Sequence, residues 1–260
     1  SARSVQAPSQ PSAPAPVAAR PPARPAAVTA LGRLEPKDGL IRVAGPSAPS
    51  VVIAKLFVEE GDRVEAGQVL AQLDTFEVRQ AAVEGVEAEL ANAQAELRRN
   101  LEMDRKRVIS RSLREQWELR VKVAQADLNR ARAELERTRV HAPIDGAVIR
   151  IHAREGERVG SDGILELGRT DQMFAIAEVY ETDIPGIRIG QRAKVMSPVF
   201  EAPLAGEVEW IRLKIGKLDV LGVDPAAKTD ARVVEVEVRL DESAAVAGLT
   251  NLQVEIEFER

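Results

Sequence analysis

Four glutamates sit beside turn glycines, Glu59 and Glu60 ahead of Gly61 and Glu155 and Glu157 around Gly156. Paired carboxylates are the minimum equipment for general acid–base chemistry. Their neighbours, however, are turn residues and arginines rather than a nucleophile, so the pattern reads as turn solvation. His141 and His152 are the only histidines. One precedes the turn residue Pro143 and the other falls in a strand-like run, which points to packing rather than a metal centre. Cysteine is absent, and with it thiolate nucleophiles, disulfides and thiolate metal ligands. The "PIDG" of Pro143 to Gly146 is turn chemistry. No GxxxxGK[ST] phosphate loop occurs, so any ATP hydrolysis belongs to a partner. No catalytic, cofactor or metal residue is expected, and the chain does not read as an enzyme.

The remaining cluster with chemical potential is electrostatic. Between Arg98 and Arg114 lie Arg98, Arg99, Arg105, Lys106, Arg107, Arg111 and Arg114 against Glu102 and Asp104. A solvated helix end or an acidic protein rim suits this cluster. Nucleic acid does not, because no interleaved aromatics or recognition motif accompanies the charge and the net charge is −5.

The elements that position these residues follow from composition and periodicity. Domains most often run to roughly 100–150 residues, so 260 residues with 3% aromatics and 30% charged side chains suit several thin modules better than one large core. Residues 1–27 are rich in Pro, Ala, Ser and Gln and read as a disordered tether. This opening has neither a signal-peptide core nor an initiator Met, which raises the expectation of an upstream signal or anchor helix. "VTALGRLEPKDGLIRV", Val28 to Val43, predicts two short strands around a "PKDG" turn.

No glycine occurs between Gly85 and Gly146 and no proline between Pro49 and Pro143. Val83, Val86, Leu90, Ala93 and Leu97 alternate steps of three and four, as do Trp117, Val121, Ala124, Leu128, Ala131, Leu135 and Thr138. This predicts two helices packed as a coiled-coil hairpin, each about 26 to 33 residues long, hence rods of roughly 40–50 Å. Trp117 reads as a packing residue. The break falls near Val108 to Ser112, with Ser112 and Glu115 as a capping box or Ser110 as the cap. A repeat flanks the hairpin: "IAKLFVEEGDRVEAGQVL" from Ile53 aligns without a gap with "VIRIHAREGERVGSDGIL" from Val148, at an offset of 95 residues. Beyond Thr170, five alternating segments separated by Gly, Pro and Asp predict a small antiparallel barrel.

"VEEGDRVEAGQVLAQLDTFEV", Val58 to Val78, has the cadence of a biotin- or lipoyl-carrier domain, but "LDTFEVRQ", Leu73 to Gln80, holds no lysine for such a cofactor. Lys55, the nearest, lies inside the first strand. With "HAPIDGAVIRIHAREGERV" and the intervening hairpin, the order of parts resembles the periplasmic adaptor (membrane fusion, HlyD-type) family. "VTALGRLEP", "AEVYETDI" and "DARVVEVEVRLDESAAVAGLTNLQVEI" are similar to its DevB subfamily of ABC-exporter adaptors. The resemblance covers roughly residues 28 to 260. It implies an α+β, mostly β fold: a split lipoyl-like (barrel-sandwich hybrid) module (46–75 and 140–170), an inserted antiparallel α-helical hairpin (76–139) and a β-barrel domain (171–260), with strands of 28–45 joining the barrel region. It also implies a periplasmic, inner-membrane-anchored protein, a hexameric ring, and partners in an inner-membrane ABC permease and a TolC-like outer-membrane channel. The family's tip pattern of an Arg, a Leu four residues on and a Ser seven beyond that maps onto Arg99, Met103 and Ser110, with Arg105 beside them. Met replaces the family's Leu, and the usual loop glycine before the Ser is absent. Alternative readings are an adaptor of type I protein secretion or of a proton-driven pump, a biotin or lipoyl carrier subunit, and a structural coiled-coil protein.

Overall fold

A computed structural model describes residues 27–45, 51–104, 111–217 and 232–259. Two 16-residue strands form its spine: β1 (Val28–Val43) and β7 (Leu165–Tyr180) pair antiparallel from Leu31↔Glu178 to Val43↔Leu165. One end of this ribbon belongs to a barrel, the other to a sandwich.

The barrel comprises β1, β11 (Gln253–Phe258), β8 (Arg192–Met196), β9 (Leu204–Lys217), β10 (Arg232–Leu240) and β7, each hydrogen-bonded to the next, and β1–β7 pairing closes the circle. Alternation builds its core. Met173, Ala175, Ala177 and Val179 of β7 point inward with Leu34, Val195, Val236, Val238, Ile256 and Phe258, as period-2 side-chain geometry requires. The five segments expected beyond Thr170 are therefore joined by a sixth strand, Val28–Val43, and β7 itself starts before Thr170 at Leu165. Closure removes every sheet edge that five strands would have left open.

The expected turn at "PKDG" is instead a bulge. Leu31 to Pro36 pair with Glu178 to Met173, and Leu40 to Val43 pair with Gly168 to Leu165, so the chain continues in one direction. Asp38 (φ 64°) and Gly39 (φ 74°) take the left-handed conformation and absorb the extra residues where the ribbon passes from barrel to sandwich.

The sandwich packs the sheet β3 (Arg63–Val64), β6 (Gly146–Ile151), β7 and the end of β1 against a second sheet, β2 (Ile53–Leu56), β4 (Val69–Leu73) and β5 (Arg139–His141). Ile53, Leu70, Val148, Ile164, Leu165 and Leu167 fill its core. Between β4 and β5 the chain leaves as α1 (Phe76–Asp104) and returns as α2 (Arg111–Glu136). Ser112 lies within α2 rather than ahead of it; Ser110, the alternative cap, falls outside the described residues, as do 1–26 of the expected tether.

A tie across the barrel gives a pH-dependent contribution. Arg192 donates to Asp241 Oδ1 and Oδ2, joining β8 to the end of β10 across β9. This hydrogen bond, opposed by slight burial and aided by the charges of Arg192 and Arg239, holds the Asp241 carboxyl below the usual aspartate range. A group whose folded value is depressed adds stability above its unfolded value, and that contribution disappears as pH falls through the folded one. The parent's margin over Asp241→Asn, read from urea midpoints, is therefore expected to be small but constant at neutral pH and to fade as pH falls from about 4 through the lower folded value. A margin independent of pH would refute the assignment.

Candidate partner-binding surfaces

The repeat becomes a reciprocal exchange of hydrogen bonds. Gly61 N–H donates to Val148 O and Gly156 N–H to Ile53 O, both at 2.8 Å; Val148 N–H and Ile53 N–H donate back to Asp62 O and Glu157 O. Glu60 Oε1 accepts from Ile151 N–H at 2.9 Å, and Glu155 Oε1 accepts from Leu56 N–H at 2.8 Å. Asp62 Oδ2 caps Glu59 N–H and Glu157 Oε2 caps Arg154 N–H. Every partner is displaced by the repeat offset, so two copies of one half-module embrace about a pseudo-two-fold axis. Glu60, Glu155 and Glu157 thus satisfy backbone donors, while the backbone of Glu59 supplies one; together they form structural turns, not an acid–base pair.

The same symmetry brings the ends of the hairpin together. Leu73 N–H donates to Thr138 O at 2.9 Å, β4 pairs with β5, Thr138 Oγ1 donates to Leu135 O at 2.6 Å, and Arg139 stacks 4.9 Å from the centre of the Phe76 ring. The segment from Leu73 to Gln80 therefore passes from strand to helix within two residues. Lys55 lies in β2 and is exposed.

Along the hairpin, Val83, Leu90 and Leu128 are buried with Val86, Val121, Ala124, Ala131 and Leu135 packed around them. Arg79–Glu134, Glu87–Arg132 and Glu96–Arg120 bridge the helices at 2.7, 2.6 and 2.9 Å and show that they run antiparallel. Trp117 is half-buried. Toward the far end, Arg99 is exposed and Met103 lies in the last turn of α1. Arg105 and Ser110 lie outside the described residues, and with them the mutual arrangement of the four tip residues.

His141 Nε2 lies 3.2 Å from Glu136 Oε1, and His152 Nε2 lies 3.3 Å from Glu166 Oε1, poorly aligned for a hydrogen bond. His152 follows β6 at a bend rather than lying in a strand. Among the described residues no group of His, Asp and Glu is arranged to hold a metal ion, and no helix is long and apolar enough to cross a membrane.

At the other extreme of the molecule, Val28 pairs with Phe258, so residues 27 and 259 leave the barrel side by side, at the end remote from the sandwich. Nearby, Arg33 donates to Glu35 at 2.6 Å, Glu178 at 3.2 Å and Glu235 at 3.4 Å. Glu178 and Glu235 face each other across β7 and β10, and Glu178 is buried. Burial pulls the Arg33 guanidinium down in pKa, but the hydrogen bonds and charges of Glu35 and Glu235 outweigh it and leave it raised. This one cation ties three strands where the barrel closes. Sequence reading passed over it; the alternation of "TALGRLE" was the available signal, since it puts Arg33 and Glu35 on the outer face of a strand.

Comparison with known proteins gives this architecture a context. Residues 49–166 match the model described as the RND MFP barrel-sandwich hybrid domain. The macrolide export protein MacA of Yersinia pestis is 29% identical over 197 residues, covering 64% of this chain and 52% of that protein. The pyoverdine export membrane fusion protein PvdR of Pseudomonas putida is 28% identical over 223 residues, with 70% and 53% covered. The chain thus spans about half the length of the curated relatives it matches. Among solved structures, a MacA–MexA chimera carrying the Pseudomonas aeruginosa MexA α-hairpin superposes with a TM-score of 0.69 at 21% identity, covering 89% of this chain and 81% of that one. The membrane fusion protein Spr0693 of Streptococcus pneumoniae R6 gives 0.63 at 16%, with 89% and 98% covered. The split sandwich, the hairpin it launches and the sequence match over both agree: residues 49–166 match the barrel-sandwich hybrid domain of RND-type membrane fusion proteins, and the chain is similar in sequence to membrane fusion proteins of export systems.

Proposed function

We propose that the chain is a non-enzymatic periplasmic adaptor, of the DevB-like branch of the HlyD-type family, linking an inner-membrane ABC permease to a TolC-like outer-membrane channel. The observation that carries this reading is the division of the molecule into two remote ends joined by one two-stranded ribbon. The sandwich, read as a lipoyl-like module, launches a hairpin, read as a coiled coil, toward one side. The barrel releases both described ends of the chain, residues 27 and 259, at the other. An adaptor must touch two partners in two membranes at once, and the β1–β7 ribbon runs from one end to the other, broken only by the bulge at Asp38–Gly39. Neighbouring adaptors form a ring, taken as hexameric, and an anchor preceding residue 1 holds it at the inner membrane. The choice of an ABC permease over a proton-driven pump or a protein-secretion system rests on "DARVVEVEVRLDES" and on the short arms of 29 and 26 residues.

The tip is the docking element for the channel, through Arg99, Met103, Arg105 and Ser110. Arg99 is exposed, so Arg99→Glu together with Arg105→Glu is expected to leave the thermal midpoint within about 1 °C of the parent, as surface changes do, while abolishing export in cells. Normal export by a stably produced double variant would refute tip docking.

A further inference from the structure

The outer face of the barrel holds a depression between two irregular strands. On β9 the register slips between Val208, opposite Val238, and Trp210, opposite Glu237, so Glu209 is the extra residue of a bulge. Val208 lies in the barrel core and Ile211 packs against it, while Glu209 and Trp210 are both exposed. A bulge re-aims side chains in this way. On β1 the bulge at Pro36 to Gly39 makes the facing wall. Between the two, Phe174 and Ile176 occupy outward positions of β7, alternating with the core residues Met173, Ala175 and Ala177, and yet are buried. They form an apolar floor alongside the Trp210 indole, which is 54% exposed. The depression measures about 290 Å³, near the lower bound of small-ligand sites, roughly 300 Å³, and so takes one ring.

Its rim is charged but balanced. Glu35 Oε1 pairs with Arg33 at 2.6 Å, Glu209 Oε2 with Arg239 at 2.8 Å, Asp38 Oδ2 with Arg169 at 2.8 Å, and Glu237 Oε1 with Arg212. Lys37 completes the rim; beyond it Glu178 and Glu235 share Arg33, and Glu207 lies with Arg192. An ionic ligand would have to displace one of these pairs. A neutral ligand rich in hydroxyls need not. In Glu35, Glu209 and Glu237 one carboxylate oxygen carries the ion pair and, among the described residues, the other is left to accept. Glu35 Oε2 faces the depression, 4.0 Å from where a Cβ on Gly39 would stand. These oxygens accept from hydroxyls, and Arg212 and Lys37 donate to them. The indole adds a flat apolar surface, which suits the C–H face of a sugar ring.

We infer that the outer face of the barrel, between its two bulges, binds a neutral pyranose ring stacked on Trp210, its hydroxyls held by Glu35, Glu209, Glu237 and Arg212. The site needs no second protein, so its test stands apart from that of the adaptor reading.

Trp117 is the only other tryptophan, so Trp117→Phe in the full chain leaves the emission of Trp210 as the reporter. Titration with methyl β-glucoside is expected to give a saturable change; at ordinary ligand efficiency a ring of about a dozen heavy atoms binds in the low millimolar range. In calorimetry Trp210→Ala is expected to weaken binding about tenfold and Glu209→Gln about threefold, with thermal midpoints within about 2 °C of the parent. Two more probes tell where the ring comes from. Tighter binding of octyl β-glucoside, below its micelle concentration, than of chitotriose assigns it to a lipid headgroup; the reverse order assigns it to a glycan chain. Full affinity in folded Trp210→Ala, equal binding of the open-chain polyol sorbitol, binding of tetramethylammonium in place of the sugars, or binding of no sugar would overturn the proposal.

Discussion

Gly32→Ala is expected to destabilise the protein by about 3–5 kcal/mol, read as a fall in the urea midpoint of the barrel transition. Residue 32 occupies the one stretch of β1 that pairs on both sides, with Val254 of β11 and Ala177 of β7. A Cβ there would stand 2.2 Å from Ile176 O, 2.9 Å from Ile176 C and 2.6 Å from Ile256 Cδ1. The isoleucine side chain could turn aside, but the Ile176 carbonyl cannot, because β7 is held by β10 on its other side. The φ of Gly32 is not among the positive values, so space rather than backbone conformation demands the glycine. Gly85→Ala is the matched control. With open space around it, alanine there is expected to stabilise by about 0.5–1 kcal/mol through helix propensity alone. A cost below about 1 kcal/mol at position 32 would show that β1 does not close the barrel as described.

The second large effect concerns the hairpin as a whole. Residues 74–137 are expected to be removable, with a short turn joining β4 to β5, without unfolding the sandwich or the barrel. Leu73 and Thr138 are already hydrogen-bonded at 2.9 Å and their strands are paired, so closure by a short loop costs little extra chain entropy. The hairpin keeps a core of its own, Val83, Leu90 and Leu128 with their neighbours, separate from the sandwich core. Loss is therefore limited to Phe76 with its contact to Arg139, the Asp74 N–H bond to Val52 O, the Thr138 bonds to Leu135 O and the pairing of Glu136 with Arg139 and His141. On the adaptor reading the excised protein still binds the permease, no longer binds the channel, and exports nothing. Unfolding of the excised protein, seen by loss of its β-sheet circular dichroism, would contradict the modular account. Retained export would contradict the functional one.

Much of this was legible in the sequence, for reasons that are local. The alignment of Glu60–Gly61 with Glu155–Gly156 was readable because each half-module repeats the same turn chemistry, and the fold turns that repetition into reciprocal hydrogen bonds. The hairpin was readable because no Pro falls in it, no Gly follows Gly85 before Gly146, and its apolar rhythm is helical. What misled was chemistry whose outcome depends on distant partners. "PKDG" has the residues of a turn, yet β7 runs past on both sides of it and holds the chain straight, leaving a bulge. That 28–45 joins the barrel region followed only from the family resemblance, because Val28–Val43 is separated from β11 by most of the chain, a contact no local pattern announces. His152 was assigned to a strand that ends one residue earlier, at Ile151. The tip pattern could be aligned by spacing, but spacing does not fix contacts, and of the four residues only Arg99 has a described side chain.

The central claim is that the two remote ends of the molecule meet different partners: a channel at the tip, an ABC permease at the barrel. Photoreactive amino acids placed singly at Arg99 and at Ile189, which is 66% exposed near the strand ends, test it in growing cells that carry the whole export system. The account predicts that irradiation links position 99 to an outer-membrane channel and position 189 to an ABC permease, each without the other. Capture of a proton-driven pump at position 189, or of the same partner from both positions, would contradict it.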